Sequence, residues 1–327
     1  MLYLHGISTD ATFNLAFEEY MFTKIPRGQE CFLLWQNKSA VIVGKHQNTM
    51  EEINHEFVRE HGIQVVRRMS GGGAVYHDLG NLNFTFIADH EFGGQFDLSK
   101  FADRVVSALN ELGIPAERTG RNDMTIEGRK FSGNAQYIRS GRILHHGTLL
   151  FNSDLDVIQQ VLTVNKDKYE SKGFKSVRSR VVNIADYLKG TVSLREFEGL
   201  LLRSLFGPEG YEEYQLTAED MAAINQLRDQ KYATWEWNFG QSPQYNVRKE
   251  RRFGAGQISL LLQVERGIIQ DIHIYGDFFG DGIPELENMF KGARLKEDVI
   301  AERLRGCDVS QYVSGLTNEE FLEALLY

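Results

Sequence analysis

Cysteine and proline are scarce in this chain of 327 residues, which contains two cysteines and five prolines. Cys31 and Cys307 form neither a disulfide framework nor a CxxC pair, so the sequence predicts a reducing, cytoplasmic environment. Cys31 lies in a short apolar run typical of a strand, where a cysteine is a small buried hydrophobe rather than a nucleophile. Catalysis through a thiol is therefore not expected.

Long apolar runs are also absent. No stretch approaches the 18 apolar residues of a membrane-spanning helix, which predicts that the chain does not cross a membrane. The first 20 residues have no basic segment and carry Asp10, Glu18 and Glu19 where a signal peptide would be apolar. The expected location is the cytoplasm.

Positive charge is in deficit. The chain has 36 Lys and Arg against 45 Asp and Glu, a formal net charge of −9. Such a balance argues against nucleic-acid binding through a broad basic face, although a local pocket for an anion is still possible. With 42% hydrophobic and 25% charged residues the composition is globular, and the length suggests about two domains.

The hydrophobic pattern mixes helices and strands without a strict βαβ repeat, which predicts an α+β fold. Strands are expected at 31–35, 40–44, 64–68, 74–78, 81–88 and in three further runs up to 154. Helices are expected at 11–25, about 51–61, 97–113, 193–206, 217–232, 283–304 and 317–326. A Trp-rich segment at 234–246 predicts a boundary between a domain of residues 1–239 and a smaller one of residues 240–327, which opens with a small antiparallel sheet.

The strongest local motif is RRMSGGGAVYHDLGNLNF at 67–84. Three consecutive glycines, Gly71 to Gly73, weaken a strand and indicate unusual dihedral angles or close backbone approach. A glycine-rich turn can bind an anion through its N–H groups, and Arg68 adds a planar cationic donor. The alternative is a glycine-rich hairpin beside a salt bridge. The polar neighbours favour a ligand-binding loop; they include Ser70, His77 and Asn83.

A second motif, GRNDMTIEGRKFSGNAQ, spans 120–136. Asp123, next to Asn122, is the hard oxygen ligand that a nucleotide-bound Mg²⁺ prefers. Lys130 lies on a predicted strand and is followed by Ser132, Gly133 and Asn134. On this evidence alone, an ordinary exposed charge at a sheet edge is the better interpretation of Lys130.

Three further segments contain residues that could bind a metal or an anion. His145 and His146 are adjacent on a predicted strand, so they face opposite sides and cannot chelate one metal; one is expected to be structural and the other to line a pocket. The basic stretch at 165–182 is either a solvated loop or a loop that meets an anionic ligand. DFFGDGIPELEN at 277–288 is similar to a calcium loop, but Phe279 and Asn288 occupy ligand positions, which excludes it.

Taken together, the motifs resemble the lipoate–protein ligase A family. The resemblance is carried by four segments in the same order, with WEWNFGQ at the head of the C-terminal region. It covers residues from about 10 to 325. The segments are RRMSGGGAVYHDLGNLNF, GRNDMTIEGRKFSGNAQ, HHGTLLFNSDL and KSVRSRVVNI.

The resemblance implies a biotin/lipoyl-ligase-type α+β catalytic domain, with a mixed or antiparallel sheet flanked by helices, and a small α+β accessory domain. It implies a ligase that uses ATP and Mg²⁺ to convert lipoate into lipoyl-AMP and pyrophosphate. The lipoyl group would then pass to a lysine of a carrier domain, namely the E2 subunits of 2-oxoacid dehydrogenases or the glycine cleavage H protein. A monomer that binds neither nucleic acid nor membrane is expected.

The resemblance also implies roles for individual residues. Lys130 would be the catalytic residue, contacting the carboxyl or acyl oxygen and the α-phosphate, and Asp123 would hold Mg²⁺. ATP or lipoyl-AMP would be bound by Lys130 together with Arg68, Gly73, Ala74, Val75, Tyr76, Asn81, Asn83, Asn122, Asp123, Arg178 and Arg180. Lipoate would be bound by Lys130 together with Ser70, Gly71, Gly72, His77, Gly133, His146 and Gly147. The basic loop around Lys175 would be the family's adenylate-binding loop.

Two alternatives follow from the same fold. One is an octanoyl or lipoyl transferase that acts without ATP through a cysteine thioester; the placement of the cysteines and the Asn122–Asp123 pair argue against it. The other is a catalytically silent protein that binds lipoyl carriers, which the presence of Lys130 and Arg68 disfavours. Biotin ligase shares the chemistry but has a different glycine-rich pattern.

Overall fold

The fold is taken from a computed structural model, which describes residues 1–90, 99–119, 123–162, 180–208, 210–240 and 245–326. Contacts divide the chain into two compact units. The first unit contains residues 1–42, 52–67 and 75–238. The second contains residues 43–51, 68–74 and 239–327.

The first unit is built on an eight-stranded mixed sheet with the order β11-β1-β2-β6-β10-β9-β8-β7. Strand β1 runs parallel to β2 and β11, and the other described pairs in the sheet are antiparallel. This mixture confirms the α+β class. Its strands are β1 (Leu2–His5), β2 (Cys31–Trp35), β6 (Asn81–Asp89), β7 (Ala116–Thr119), β8 (Asp123–Ile126), β9 (Arg129–Arg139), β10 (Arg142–Leu150) and β11 (Glu212–Glu213).

A second, three-stranded sheet has the order β4-β3-β5. Its strands are β3 (Ala40–Val43), β4 (Gln64–Arg67) and β5 (Val75–His77), and β3 pairs with β5 in antiparallel register. The chain leaves the first unit immediately after β4 and re-enters it at the first residue of β5. The glycine-rich segment therefore connects two strands of this small sheet.

The helices of the first unit follow the predicted pattern, except that the run at about 51–61 is divided and that helices at Leu155–Val161 and Trp235–Asn238 were not predicted. Asp10 caps the first helix by accepting hydrogen bonds from the N–H groups of Thr12 and Phe13. The predicted helix at about 51–61 is instead two short helices, because Asn54 caps the second and so interrupts the run. The helices up to residue 238 are α1 (Ala11–Lys24), α2 (Thr49–Glu52), α3 (His55–Glu60), α4 (Ser99–Glu111), α5 (Leu155–Val161), α6 (Leu194–Phe206), α7 (Ala218–Leu227) and α8 (Trp235–Asn238). Residues 49–51 of α2 belong to the second unit.

The core of the first unit lies where the sheet packs against α4 and α6. Phe32 and Phe86 pack with ring centroids 4.6 Å apart, and Phe151 stacks on Phe197 of α6 at 4.9 Å. Val105 of α4 is fully buried in the same cluster. The predicted Asp97 cap of this helix lies outside the described residues. Among the described helices, none has the length and apolar character needed to cross a lipid bilayer.

The second unit contains a three-stranded antiparallel sheet, β12 (Val247–Phe253), β13 (Gly256–Glu265) and β14 (Ile268–Gly276). Helices α9 (Ile283–Phe290), α10 (Glu297–Leu304) and α11 (Asn318–Leu326) follow. The single run predicted at 283–304 is divided by a turn in which Gly292 has a φ of 76°. Residues 43–51 and 68–74, which the sequence analysis placed in the first domain, belong to this unit by their contacts.

Arg67 and Asn238 are two of the three residues after which the chain leaves the first unit. Asn238 Oδ1 accepts a hydrogen bond from the Arg67 N–H at 2.8 Å, and Trp237 Nε1 donates to the Arg67 carbonyl at 2.8 Å. The Arg67 side chain is fully buried and donates to the Trp237 carbonyl at 3.0 Å. The Trp-rich segment predicted as a boundary is therefore bound to the end of β4.

Candidate functional site

Lys130 and Asp123 form an ion pair on adjacent strands of the first unit. Asp123 begins β8, and Lys130 is the second residue of β9, where it pairs with Thr125, two residues after Asp123. Lys130 Nζ lies 2.7 Å from Asp123 Oδ1. Both side chains are more than a third exposed. A cation and a carboxylate are thus presented together at a partly exposed position on β8 and β9.

Both backbone hydrogen-bonding groups of Lys130, its N–H and its carbonyl, are bound to the segment 180–182. The Lys130 N–H donates to the Arg180 carbonyl at 2.6 Å, and the Val182 N–H donates to the Lys130 carbonyl at 2.9 Å. Gly133 lies beneath the lysine, and a Cβ there would be 3.1 Å from Lys130 Nζ. The structure therefore brings together four predicted site residues: Asp123, Lys130, Gly133 and Arg180. Asn122, Lys175 and Arg178 lie outside the described residues.

A magnesium ion is chemically compatible with Asp123 but not with a site made of protein ligands alone. Within the described ranges, no three His, Cys, Asp or Glu side chains converge in a way that could hold a metal ion. Magnesium commonly binds one or two carboxylates and takes its remaining ligands from substrate phosphates and water. The partly exposed Asp123 carboxylate suits such a nucleotide-bound ion.

His146 is oriented by a buried chain of polar side chains. Its Nδ1–H donates to Glu18 Oε1 at 2.8 Å, and the same oxygen accepts a hydrogen bond from the Thr85 hydroxyl at 2.6 Å. Trp35 Nε1 donates to Thr85 Oγ1 at 3.0 Å. All four side chains are buried, so the imidazole has a fixed orientation.

Sequence reasoning missed Glu18. Glu18 and Asn14 are four residues apart in α1, which places them on one face of the helix. Both are buried, in a helix whose other buried positions are occupied by apolar side chains. Two polar residues at helical spacing in an apolar helix were the available indication that this face contacts something polar.

His145 is the structural member of the histidine pair. It is fully buried, stacks on Phe84 with centroids 5.9 Å apart, accepts a hydrogen bond from Gln136 and donates to Asn134 Oδ1 at 3.2 Å. Burial away from water lowers the pKa of His145 to about 3, so the ring is neutral. Gly147 lies on the same strand, where a Cβ would approach Asn134 Oδ1 to 2.5 Å. Close packing therefore accounts for this glycine.

Asn81 and Asn83 begin β6 and are both buried. Asn81 Nδ2 donates to Asn83 Oδ1 at 2.9 Å. In the part of the chain that the structure describes, Asn81 Oδ1 and Asn83 Nδ2 have no hydrogen-bond partner. A buried polar atom without a partner is costly, and a ligand group can satisfy it.

The remaining predicted residues of β5 are also buried or half-buried. The Tyr76 hydroxyl lies 3.3 Å from Ser39 Oγ, to which it donates, and burial raises the pKa of Tyr76. His77 Nδ1 accepts a hydrogen bond from Asn37 Nδ2 at 3.1 Å. Val75, the first residue of the strand, is half-buried. These side chains are held in place by neighbours in the first unit.

The glycine-rich loop, residues 68–74, belongs to the second unit. Arg68 is buried and its guanidinium binds its own loop: Nε donates to Ser70 Oγ at 3.0 Å, and Nη2 donates to the carbonyls of Gly71 and Gly73 at 2.6 and 2.8 Å. Gly72 has a φ of 88°, a left-handed conformation that glycine adopts readily. Ala74 ends the loop. The structure thus places Arg68, Ser70 and the glycines in a different unit from Lys130.

Neither cysteine is an activated nucleophile. Cys31 is fully buried in β2, and burial raises the pKa of its thiol far above the usual range. The pKa of Cys307 in the second unit is also raised, by burial and by the neighbouring Asp308 carboxylate. A reactive cysteine needs the opposite change, a lowered pKa in an electropositive setting.

Two family models match the chain. The lipoyl protein ligase A/B catalytic domain matches residues 10–206, and the bacterial lipoate protein ligase C-terminus matches residues 242–325. Among curated proteins, the chain is 45% identical over 320 residues to lipoate-protein ligase LplJ of Bacillus subtilis and 44% identical over 318 residues to lipoate–protein ligase 1 of Staphylococcus aureus. Each alignment covers 97% of both chains.

Solved structures give the same result. A lipoate-protein ligase A bound with ATP matches with 28% identity and a TM-score of 0.63, covering 74% of this chain and all of that one. A bipartite lipoate protein ligase from Thermoplasma acidophilum, described with its E2 lipoyl domain, matches with 30% identity and a TM-score of 0.66 over 75% of this chain and 99% of that one. P. falciparum LipL1 in complex with lipoate shares the fold, with a TM-score of 0.79 and 24% identity over 99% of this chain and 98% of that one.

Proposed function

The chain belongs to the lipoate–protein ligase family, and on this premise we propose that it is an ATP-dependent lipoate–protein ligase. The supporting observation is the pairing of Lys130 with Asp123 on a partly exposed edge of the first unit. An ammonium group that is accessible and rigidly mounted suits a reaction in which negative charge builds up on phosphate.

In the first step, an oxygen of the lipoate carboxylate attacks the α-phosphorus of ATP. The bond between the α-phosphorus and the bridging oxygen breaks, which releases pyrophosphate and leaves lipoyl-AMP. Two anions must approach each other in this step, so a fixed cation lowers the barrier. Lys130 supplies that cation, contacting the carboxyl oxygen and the α-phosphate.

In the second step, the ε-amine of a lysine on a lipoyl domain attacks the acyl carbon of lipoyl-AMP. An amide forms, AMP leaves with the electron pair of the broken anhydride bond, and the amine gives up a proton. Activation is needed because a free carboxylate is a poor electrophile. The acceptors we propose are the lipoyl domains of 2-oxoacid dehydrogenase E2 subunits and the glycine cleavage H protein.

Asp123 is the residue that would hold the Mg²⁺ that accompanies ATP. The ion would screen the phosphate charges, and its other ligands would be phosphate oxygens and water. Before ATP binds, the Asp123 carboxylate neutralises Lys130.

The other site residues are proposed on the motif match. Arg68, residues 73–76, Asn81, Asn83 and the basic loop bind the nucleotide, and the buried polar atoms of Asn81 and Asn83 are suited to accept a ligand group. The lipoate-binding set includes His146, which Glu18 positions. The remaining members of that set are Ser70, Gly71, Gly72, His77, Gly133 and Gly147.

The deciding experiment measures pyrophosphate release from Mg-ATP by the purified protein without a carrier. Release that requires lipoate supports the adenylation step. No release, together with transfer of octanoyl or lipoyl groups from one carrier to another, would identify an ATP-independent transferase. The absence of both activities would indicate a silent carrier-binding protein.

A cysteine-free variant separates the ligase from a thioester transferase. We expect Cys31→Ala with Cys307→Ser to retain both adenylation and transfer, because neither thiol is activated. Loss of transfer to an acceptor, with folding retained, would favour the thioester route. Assays with an E2 lipoyl domain and with an H protein in parallel identify the acceptor.

A further inference from the structure

The segment Asp277–Gly282, which follows β14, contacts the glycine-rich loop within the second unit. The Phe278 carbonyl accepts a hydrogen bond from the Gly72 N–H at 3.1 Å. A methyl group at Gly71 would overlap that carbonyl oxygen, and one at Gly72 would lie 3.5 Å from the Phe279 ring. Gly71 is therefore needed for packing against this segment. The Gly72 N–H is also committed to Phe278.

Lys45 connects the same two segments. Its N–H donates to the Ser70 carbonyl at 2.8 Å, and its Nζ lies 2.7 Å from Asp281 Oδ1. The preceding residue, Gly44, is packed so closely that a Cβ there would overlap the Gly72 carbonyl oxygen. One residue thus contacts the loop through its backbone and the Asp277–Gly282 segment through its side chain.

His46 strengthens this connection. Its ring is nearly parallel to that of Phe278, with an interplanar angle of 11° and centroids 5.0 Å apart. Its Nε2–H donates to the Gly280 carbonyl at 3.2 Å, and its own carbonyl accepts a hydrogen bond from the Gly276 N–H at 2.9 Å. His46 is buried, so these contacts hold the segment against residues 44–48.

We propose that Asp277–Gly282 is a positioning element that holds the glycine-rich loop in the conformation that binds the nucleotide, and that Lys45, His46 and Asp281 are positioning residues for adenylation. The proposal rests on the proposed function, which assigns nucleotide binding to Arg68, Gly73 and Ala74 of this loop. Ordering a flexible loop when ATP binds would cost backbone entropy. A loop that is already ordered binds ATP more tightly.

Substitutions of Lys45 and Asp281 test the proposal with little effect on stability, because their side chains are 27% and 60% exposed. Exposed pairs contribute little to stability, so Lys45→Ala and Asp281→Ala should fold. We expect each to raise the KM for ATP in lipoate-dependent pyrophosphate release by about 2- to 5-fold, with kcat changed less than 2-fold. The double variant should have a KM for ATP no higher than that of either single variant. Exchanging the charges (K45E with D281K) should restore the wild-type KM.

His46→Ala removes both a ring stack and a hydrogen bond, so the KM for ATP should rise by about tenfold or more. The matched control is Lys291→Ala, which breaks a 2.8 Å pair with Asp271 in the same unit. Its KM should not change. A fall in kcat and in melting temperature with an unchanged KM for the Lys45, Asp281 and His46 variants would show a purely structural role and overturn the proposal.

Hydrogen exchange of the ligand-free protein gives a readout that does not depend on activity. Backbone amides of residues 68–76 should exchange faster in the Lys45, Asp281 and His46 variants than in the wild type, and at the wild-type rate in Lys291→Ala. Unchanged exchange in all variants would overturn the proposal. If the wild type releases no pyrophosphate, the proposed function fails, while the exchange rates still decide whether this segment orders the loop.

Discussion

The ammonium group of Lys130 lies 2.7 Å from the carboxylate of Asp123, across the paired strands β8 and β9. The pair places a cation beside a carboxylate at a partly exposed position. Because the N–H and the carbonyl of Lys130 are both hydrogen-bonded to residues 180–182, the side chain has a fixed point of attachment. This relationship suggests the first two predictions.

Replacing Lys130 by alanine should lower lipoyl-AMP formation by at least about 100-fold, since it removes the cation that stabilises charge on the α-phosphate. Folding should be retained, because the side chain is partly exposed and its strand contacts are made by the backbone. The measurement is single-turnover formation of lipoyl-AMP, with the exposed Lys189→Ala as control. Near-normal adenylation by Lys130→Ala would refute the assigned role.

Replacing Asp123 by asparagine should raise the Mg²⁺ concentration that half-saturates adenylation by about tenfold or more, because a charged oxygen ligand is lost. Titrating Mg²⁺ at fixed ATP measures this shift. The control is Asp186→Asn, which removes the charge of an exposed carboxylate elsewhere in the first unit and should leave the Mg²⁺ titration unchanged. A reduced rate with the same Mg²⁺ requirement would instead assign Asp123 to orienting Lys130.

Asp220→Asn should destabilise the first unit. The Asp220 carboxylate is fully buried and accepts hydrogen bonds from Lys24 Nζ at 2.5 Å, the Tyr20 hydroxyl at 2.6 Å and the Tyr214 hydroxyl at 2.9 Å. We expect the free energy of unfolding to fall by about 2 kcal/mol, since charged hydrogen bonds contribute roughly 1.5–3 kcal/mol and Lys24 is partly exposed. Urea unfolding measures this; Asp229→Asn, whose side chain is 62% exposed, is the control.

The Asp220 effect should depend on pH. Its hydrogen bonds, the one from Lys24 foremost, overcome the effect of burial and hold the pKa of Asp220 below its usual range. A carboxyl group with a lowered folded-state pKa contributes stability above its ordinary pKa of about 4 and loses it as pH falls. The difference between wild type and Asp220→Asn should therefore shrink below about pH 4. A constant difference down to pH 3 would contradict the assignment.

Through His145, the free energy of unfolding should also depend on pH in a range that begins above that of Asp220. Its pKa is lowered to about 3 in the folded protein, whereas an unfolded histidine titrates near about 6.5. The unfolded state therefore binds the extra proton first, and stability falls as pH decreases from about 6.5 towards 3, by up to about 1.4 kcal/mol per pH unit. We expect His145→Gln to show a shallower slope over this range in urea unfolding. Exposed His61→Gln should keep the wild-type slope; equal slopes for His145→Gln and wild type would contradict the prediction.

Much of the local structure was predictable from the sequence because its causes are local. Asp10 and the apolar spacing after it predicted α1. Short apolar runs between turn residues predicted most strands of the eight-stranded sheet and of the β4-β3-β5 sheet. The helix predicted at about 51–61 was wrong in detail, since Asn54 binds a backbone N–H and starts a new helix. Lys130 was recognised through the motif that contains it, and its placement on a strand is confirmed.

The contacts of the candidate site were less accessible to sequence reasoning. The Lys130–Asp123 pair depends on the pairing of β8 with β9, in which Lys130 lies opposite Thr125, and the sequence pattern does not give that register. Glu18 orients His146, yet α1 and β10 are far apart in sequence. Such pairings follow from how strands and helices pack.

The sequence by itself determined the fold class, most helices and strands, and the motifs that indicate a ligase. The fold class and the elements depend on hydrophobic periodicity, caps and turn residues, which act over a few neighbouring residues, whereas the ligase was indicated by the resemblance of the motifs to a known family. Only the tertiary structure decided that the glycine-rich loop belongs with the C-terminal residues in the second unit. The physical reason is that Gly72 is held by the carbonyl of Phe278, a residue distant in sequence, and close packing between such residues is a property of the folded chain.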